Sequence, residues 1–204
     1  METNEKGDLL YMSTTMIRKA DHQIDPIHLE RWSSRAFATT PVEDAKLHSI
    51  FEAARWAPSA ANWQPWHFVY AQKQADLEKF HSFINENNVE WCKRAPVLVA
   101  VISKLTRNEE GDANPFHAFD TGTAWGYLSL EAHRQGLLTH GMGGFDREKA
   151  KEVLNIPEEY EVQAVVAIGY HDPEAPLSEK NQAREVPSDR NPLETFLFEG
   201  SFKK

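Results

Sequence analysis

Apolar residues along this chain fall into two patterns. Behind Thr40-Pro41-Val42-Glu43, the residues Leu47, Ile50, Phe51 and Ala54 recur at helical spacing and share one face. The four residues ahead of them read as a start signal, with Thr and Glu at capping-box spacing and Pro at the first helical position. This helix stops before Pro58, because the residue preceding a proline is pushed out of helical geometry. Asp25-Pro26 opens a shorter helix that ends near Arg31. A third helix, from about Lys73 to Ile84, turns Leu77, Phe80 and Ile84 inward. The longest runs from about Phe116 to Gln135 and closes on Gly136 at a C′ position. Asp146 caps one more, ending around Leu154. The other pattern is the unbroken run. Pro96 to Ser103 is β-branched and apolar on both faces, which predicts a mid-sheet strand covered on each side. Trp66 to Ala71, Leu137 to Met142 and Val162 to Tyr170 are further strands. The elements alternate without a strict βαβ rhythm, so the predicted class is α+β: a mixed central sheet surrounded by helices.

Composition bounds this picture. The chain has 204 residues, 41% of them hydrophobic, enough for one sizeable core without disulfide or metal staples. Residues 1–204 are read as a single domain, with 1–24 peripheral and 171–204 an extended C-terminal arm. That arm carries four prolines, many charges and the apolar cluster Phe196-Leu197-Phe198, and is expected to pack on a partner subunit. Lys and Arg number 22 against 31 Asp and Glu, a formal charge of −9 that disfavours nucleic acid as a partner. The longest apolar run, Val97 to Ile102, is far below the roughly 18 residues of a membrane span. The first twenty residues hold no signal-peptide core. A single cysteine, Cys92, forms no internal disulfide, which suits a reducing cytoplasm.

Several chemistries lack their signatures. The sequence contains no GxxxxGK[ST], no HExxH, no Cys/His cluster and no GxSxG. The nine histidines are scattered between a strand (His67) and helices (His81, His117, His133), and Cys92 beside Trp91 reads as a small buried residue. Two segments stand out. In Arg31-Trp32-Ser33-Ser34-Arg35, an extended backbone turns residues 31, 33 and 35 to one side. Two guanidiniums and a hydroxyl then converge, a set that suits a phosphate; the alternative is a solvated basic patch. In Ala57-Pro58-Ser59-Ala60-Ala61-Asn62-Trp63-Gln64-Pro65-Trp66, two prolines bracket small residues, with Asn62 offering both donor and acceptor. Its tryptophans either wall a flat aromatic ligand or fill the core, the latter being preferred for Trp56 and Trp66. Gly143-Gly144 is either a plain turn or a place where backbone meets a planar ring.

Together these segments resemble the flavin-dependent nitroreductase family, whose members carry R-x-S-x-[RK]-x-F and, some twenty residues on, A-P-S-x-x-N-x-Q-P-W. The likeness continues through Asn88-Val89-Glu90-Trp91, Asp120, Met142-Gly143-Gly144-Phe145-Asp146, Ile156-Pro157 and Arg190-Asn191-Pro192-Leu193, covering about Pro26 to Phe198. The resemblance implies an FMN-containing homodimer of the nitroreductase fold with both active sites at the subunit interface. It assigns Arg31, Ser33 and Arg35 to the FMN phosphate and ribityl chain, with Trp32 contributing its backbone and Arg190 returning to the phosphate. Pro58, Ser59, Ala60 and Asn62 line the flavin from the partner chain. Asn88 meets the isoalloxazine edge, and Gly143 and Gly144 bring backbone to its ring. Trp91 stands where some relatives have Lys. The implied activity is an NAD(P)H oxidoreductase that passes a hydride, in a ping-pong cycle, to a small oxidised substrate such as a nitroaromatic, quinone or activated carbonyl compound. The cofactor does the chemistry, so no catalytic side chain and no metal is assigned. The alternatives are a flavin-binding protein without NAD(P)H turnover, or a specialised, dehalogenase-like enzyme on the same scaffold. Specialised members extend a lid, which corresponds here to the short loop Arg107 to Phe116.

Overall fold

The structure, a computed structural model, describes residues 18–203. The expectation that residues 1–24 are peripheral therefore falls largely outside the described residues. In chain order the elements are α1 (Ile27–Glu30), α2 (Asp44–Arg55), β1 (Trp66–Ala71), α3 (Gln74–Phe83), α4 (Glu86–Cys92), β2 (Val97–Lys104), α5 (His117–Arg134), β3 (Leu138–Met142), α6 (Arg147–Leu154), β4 (Tyr160–Gly169) and α7 (Glu179–Gln182). Single 3-10 turns lie at Ala60–Asn62 and Leu193–Thr195.

The four strands form one sheet in the order β1-β2-β4-β3. The α+β class holds, but each of the three pairings is antiparallel where a mixed sheet was expected. The reason lies in the crossovers. β2 and β3 run in the same direction and are joined by the long helix α5, yet β4 inserts between them. Strands of like direction are therefore never neighbours. β2 sits mid-sheet and is buried along seven of its eight residues, as its apolar run predicts.

Period-2 alternation along β2 separates two cores. Leu98, Ala100 and Ile102 face α3, α4 and α6, packing with Phe80, Phe83 and Trp91. Val97, Val99 and Val101 face α2 and α5, packing with Leu47, Ile50 and Leu128. A bulge in β4 opposite Val101/Ile102 leaves Gln163 unpaired. That extra residue explains why Val162 and Val165, three apart, share one core.

Three local readings are corrected. The capping box at Thr40 does not form: α2 begins at Asp44 behind Glu43, with no side-chain cap. The buried Val42 instead packs into the core, and its carbonyl accepts from Gln72 Nε2 at 3.0 Å. Helix α4 was not predicted; its seven residues, mostly polar, are too few to show a helical period. Trp56 does not fill the core. It is 68% exposed, its indole N–H donates to Glu52 at 2.9 Å, and Arg55 lies over its ring. Asp146 caps α6 as read, its carboxylate accepting from Lys149 N at 3.0 Å.

The end of β4 is closely packed. A Cβ at Gly169 would lie 2.6 Å from Pro96 Cδ and 3.2 Å from a ring carbon of Phe37, itself fully buried. The proline ring is fixed to its own backbone and the Phe37 ring is fully enclosed. Gly169→Ala is expected to destabilise the fold by about 1–3 kcal/mol through overpacking, read as a lower urea midpoint at unchanged slope.

Candidate functional site

The chain leaves α1 in extended backbone at Arg31, turns at Ala36 where Phe37 N donates to Arg35 O at 3.1 Å, and is pinned beside the end of β4. Ala38 N donates to Tyr170 O, and Asp172 N to Ala36 O, each at 2.9 Å, around a bridge between Phe37 and His171. The extended geometry imposes alternation. Trp32 and Ser34 are buried, while Arg31, Ser33 and Arg35 turn the other way. Phe37 anchors the segment by stacking on Trp91 at 6.0 Å.

Arg31, Ser33 and Arg35 open onto a cavity of about 300 Å³. Trp32 and Arg190 also line it, together with Arg18, Arg184, His140, Ser188 and Val186, which sequence reasoning missed. Five of the lining residues are thus arginines. Arg18 is a strut: it donates to Leu29 O at 3.0 Å, Arg31 O at 2.7 Å and Ser188 O at 2.8 Å, tying the 29–31 backbone to the C-terminal arm. Glu185 is the counter-charge. Its carboxylate accepts from Arg35 N at 2.9 Å and from the buried Ser34 hydroxyl. Trp32 is buried with its indole N–H unpartnered among the described residues. Arg190 curls onto its own loop, donating to Ser188 O and Asp189 O.

Electrostatics follow from this crowding. Burial and then the Arg190 charge lower Arg31 from its ordinary value; burial and then Arg184 lower Arg35, which Glu185 partly offsets. His140, on β3, donates from Nδ1 to Ser34 O at 3.0 Å and lies against Trp91 with ring centroids 4.4 Å apart. Burial, reinforced by Arg35, Arg184 and Arg31, pushes its imidazole down to about 4, so the ring is neutral at neutral pH. The cavity is thus walled mainly by cationic side chains, with a neutral histidine among them.

Two further groups of predicted residues form apart from the cavity lining. Asn88, on α4, donates to Gly144 O at 3.2 Å, and Asn85 N donates to the same carbonyl at 3.1 Å. A Cβ at Gly144 would lie 2.8 Å from Asn88 Nδ2, whereas one at Gly143 would meet open space. The protein itself thus explains glycine at 144 but not at 143. The other group is the turn containing Pro58, Ser59, Ala60 and Asn62. Ala61, Asn62 and Gln64 all have positive φ (47°, 59° and 49°), a strained run for residues with side chains. The buried Asp120, at the start of α5, accepts from Ala60 N at 3.0 Å; Ser59 Oγ accepts from Gln64 N at 3.1 Å. The loop from Arg107 to Phe116 closes against this turn as a compact hairpin, with Arg107 bound to Asp112 and stacked over Trp63.

Among the described residues no three His, Cys, Asp or Glu gather as a metal site. Cys92 is buried and burial pushes its thiol up to about 12, far from a nucleophile. Trp91 is buried too, filling the space beneath the 31–37 segment. No described helix is long and apolar enough to cross a membrane.

A family model described as the nitroreductase family matches residues 29–89 and 71–170. The chain belongs to the nitroreductase family. It is 43% identical to a solved structure described as an oxidoreductase containing FMN, with a TM-score of 0.88 over 91% of this chain and 96% of that one. A nitroreductase family protein from Streptococcus pneumoniae shares the fold at 22% identity, with a TM-score of 0.70 over 85% and 98% of the two chains. In sequence it is also 29% identical to an NADH dehydrogenase from Thermus thermophilus, over 83% of this chain and 92% of that protein.

The neutral His140 makes stability depend on pH. The unfolded chain binds the histidine proton near pH 6.5 and the folded chain only near 4. Between these values the unfolded state carries more protons, so stability rises with pH and is lost as pH falls. Relative to His140→Phe, the wild type is expected to lose about 3 kcal/mol from pH 6.5 to 4, measured as the difference in urea unfolding. Parallel pH profiles would remove the assignment.

Proposed function

We propose that this protein is an FMN-dependent NAD(P)H oxidoreductase acting as a homodimer. The arginine cavity carries the reading. Five guanidiniums around about 300 Å³, with Glu185 as the main local counter-charge, suit a phosphate group bearing nearly two negative charges, despite the overall charge of −9. Arg31, Ser33, Arg35 and Arg190 hold the phosphate and the start of the ribityl chain, with the backbone at Trp32. Asn88 and Gly144 present polar edges to the ring, and the space over Gly143 admits it. The similar FMN-containing oxidoreductase supports this choice of cofactor. When bound, FMN supplies two-electron hydride transfer from NAD(P)H to a small oxidised acceptor, in alternating half-reactions. The chain's own groups orient, screen charge and exclude water. A nitroaromatic, a quinone or an activated carbonyl compound is the class of acceptor.

The turn of Pro58, Ser59, Ala60 and Asn62 does not line the arginine cavity of its own protomer, so in this reading a second chain supplies it. Exposed apolar side chains support assembly: Phe119, Phe196 and Leu197 are 76%, 62% and 67% exposed in the single chain. The compact 107–116 hairpin favours a general oxidoreductase over a specialised one with an extended lid. A reducing cytoplasm suits the one buried cysteine.

Purified protein is expected to be yellow, and its visible flavin band to bleach anaerobically on adding NADH or NADPH and return with a quinone. A yellow sample that never bleaches makes it a flavin carrier, and a colourless one that takes up no FMN ends the proposal. Arg31→Ala and Arg35→Ala are each expected to fold and to lose about 1.5–3 kcal/mol of FMN affinity, the loss of a charge-assisted bond. Unchanged flavin titrations in both would refute their roles.

A further inference from the structure

The cavity wall is almost all donor. Five arginines can only donate, and the serine hydroxyls do either. His140 is the exception. Its Nδ1 faces Ser34 O, a carbonyl that only accepts, so Nδ1 carries the hydrogen and Nε2 holds a bare lone pair. That bond and the tilted Trp91 ring, centroid 4.4 Å away, orient the imidazole. No described residue donates to Nε2, although Arg31, Arg35 and Arg184 line the same cavity. A lone pair there repels phosphate oxygens. Once a ligand displaces water from it, this lone pair needs a donor from the ligand, and the donor that accompanies a phosphate ester is a hydroxyl on the adjoining carbon chain.

We propose that His140 reads a hydroxyl beside the ligand's phosphate, so that the cavity selects a phosphorylated polyol over a phosphorylated plain alkyl chain. This rests on the FMN reading, where the polyol is the ribityl chain, and adds a specificity-determining residue to it. The neutral state of the ring at working pH is what keeps Nε2 an acceptor. The charges that face it are Arg31, Arg35 and Arg184, and Glu185 stands behind Arg35. All three cations oppose a second proton on the imidazole.

The test compares two flavins on two proteins. Wild type and His140→Phe are titrated with FMN and with a flavin phosphate whose ribityl hydroxyls are replaced by hydrogen, with inorganic phosphate as competitor. Wild type is expected to prefer FMN by at least about tenfold, the worth of one hydrogen bond to an otherwise unpaired group. In His140→Phe that preference is expected to shrink about tenfold, with phosphate competition within twofold of wild type. His140→Gln, which restores an acceptor, is expected to recover most of the preference. Equal preference in wild type and His140→Phe overturns the proposal. So does a fall in phosphate competition as large as the fall in FMN affinity, which would mean that the ring only props the 31–35 segment or meets the phosphate's own proton. The wild-type arm stands without any variant: no preference for FMN over its deoxy analogue also overturns it. If wild type takes up neither flavin, the FMN reading itself falls, an outcome visible before any variant is made.

Discussion

Like charges crowded around a small cavity repel, and the fold has to hold five guanidiniums there before any ligand arrives. The means are visible in the hydrogen bonds. Arg18 spends its donors on three backbone carbonyls, which turns a charge into a brace. Glu185 takes the Ser34 hydroxyl and the Arg35 backbone N–H, placing one carboxylate against the most crowded segment. His140 stays uncharged where a sixth cation would be costly. What remains is a residual positive field with an acceptor set in it. An anion that enters relieves repulsion that the folded chain already carries, and this is a larger gain than pairing free arginines in water.

The same bonds decide which parts of the chain depend on one another. The cavity is built from Arg18 near the start of the described chain, the 31–35 segment, strand β3 and the arm from residue 184 onward. Arg18 joins the first and last of these directly, and Arg94, in the turn after α4, bonds Asp172 at the arm's root. The arm has little regular structure of its own, with only α7 and one 3-10 turn. Its order rests on these polar links, on the Glu185 bonds to residues 34 and 35, and on the packing of Ala175 and Leu177; a ligand held in the cavity would stabilise the arm by linkage.

Much of the fold is legible in the sequence, because β2 is a long apolar run, α2 and α5 are strongly periodic, and Gly136 closes α5 at positive φ. β1 spans Trp66 to Ala71 as predicted from its pattern alone. What escaped has physical causes. α4 is shorter than two helical repeats, and the Thr40 capping box lost to the burial of Val42, a tertiary preference that no local rule contains. In the site, alternation in the 31–35 segment foretold the convergence of Arg31, Ser33 and Arg35. Arg184 and Glu185 lie in an aperiodic arm where no spacing marks them. His140 was passed over because a histidine in a strand has no motif. Only the meeting of Ser34, Trp91 and three arginines around it gives it a role.

The strained turn argues the rest of the architecture. Three left-handed residues with side chains cost of order 1–3 kcal/mol each, and such geometry persists only when its surroundings over-determine it. Here they do: Asp120 holds Ala60 N, Ser59 holds Gln64 N, and Gln64 Nε2 holds Asn62 O. A buried carboxylate is committed to fixing one backbone N–H of a turn that does not line its own protomer's cavity. Strain sustained at that expense makes sense if the turn presents its backbone to something outside the chain. In the proposed homodimer, a second copy would bring its own arginine cavity to this turn, and both halves of such a site would already be in place.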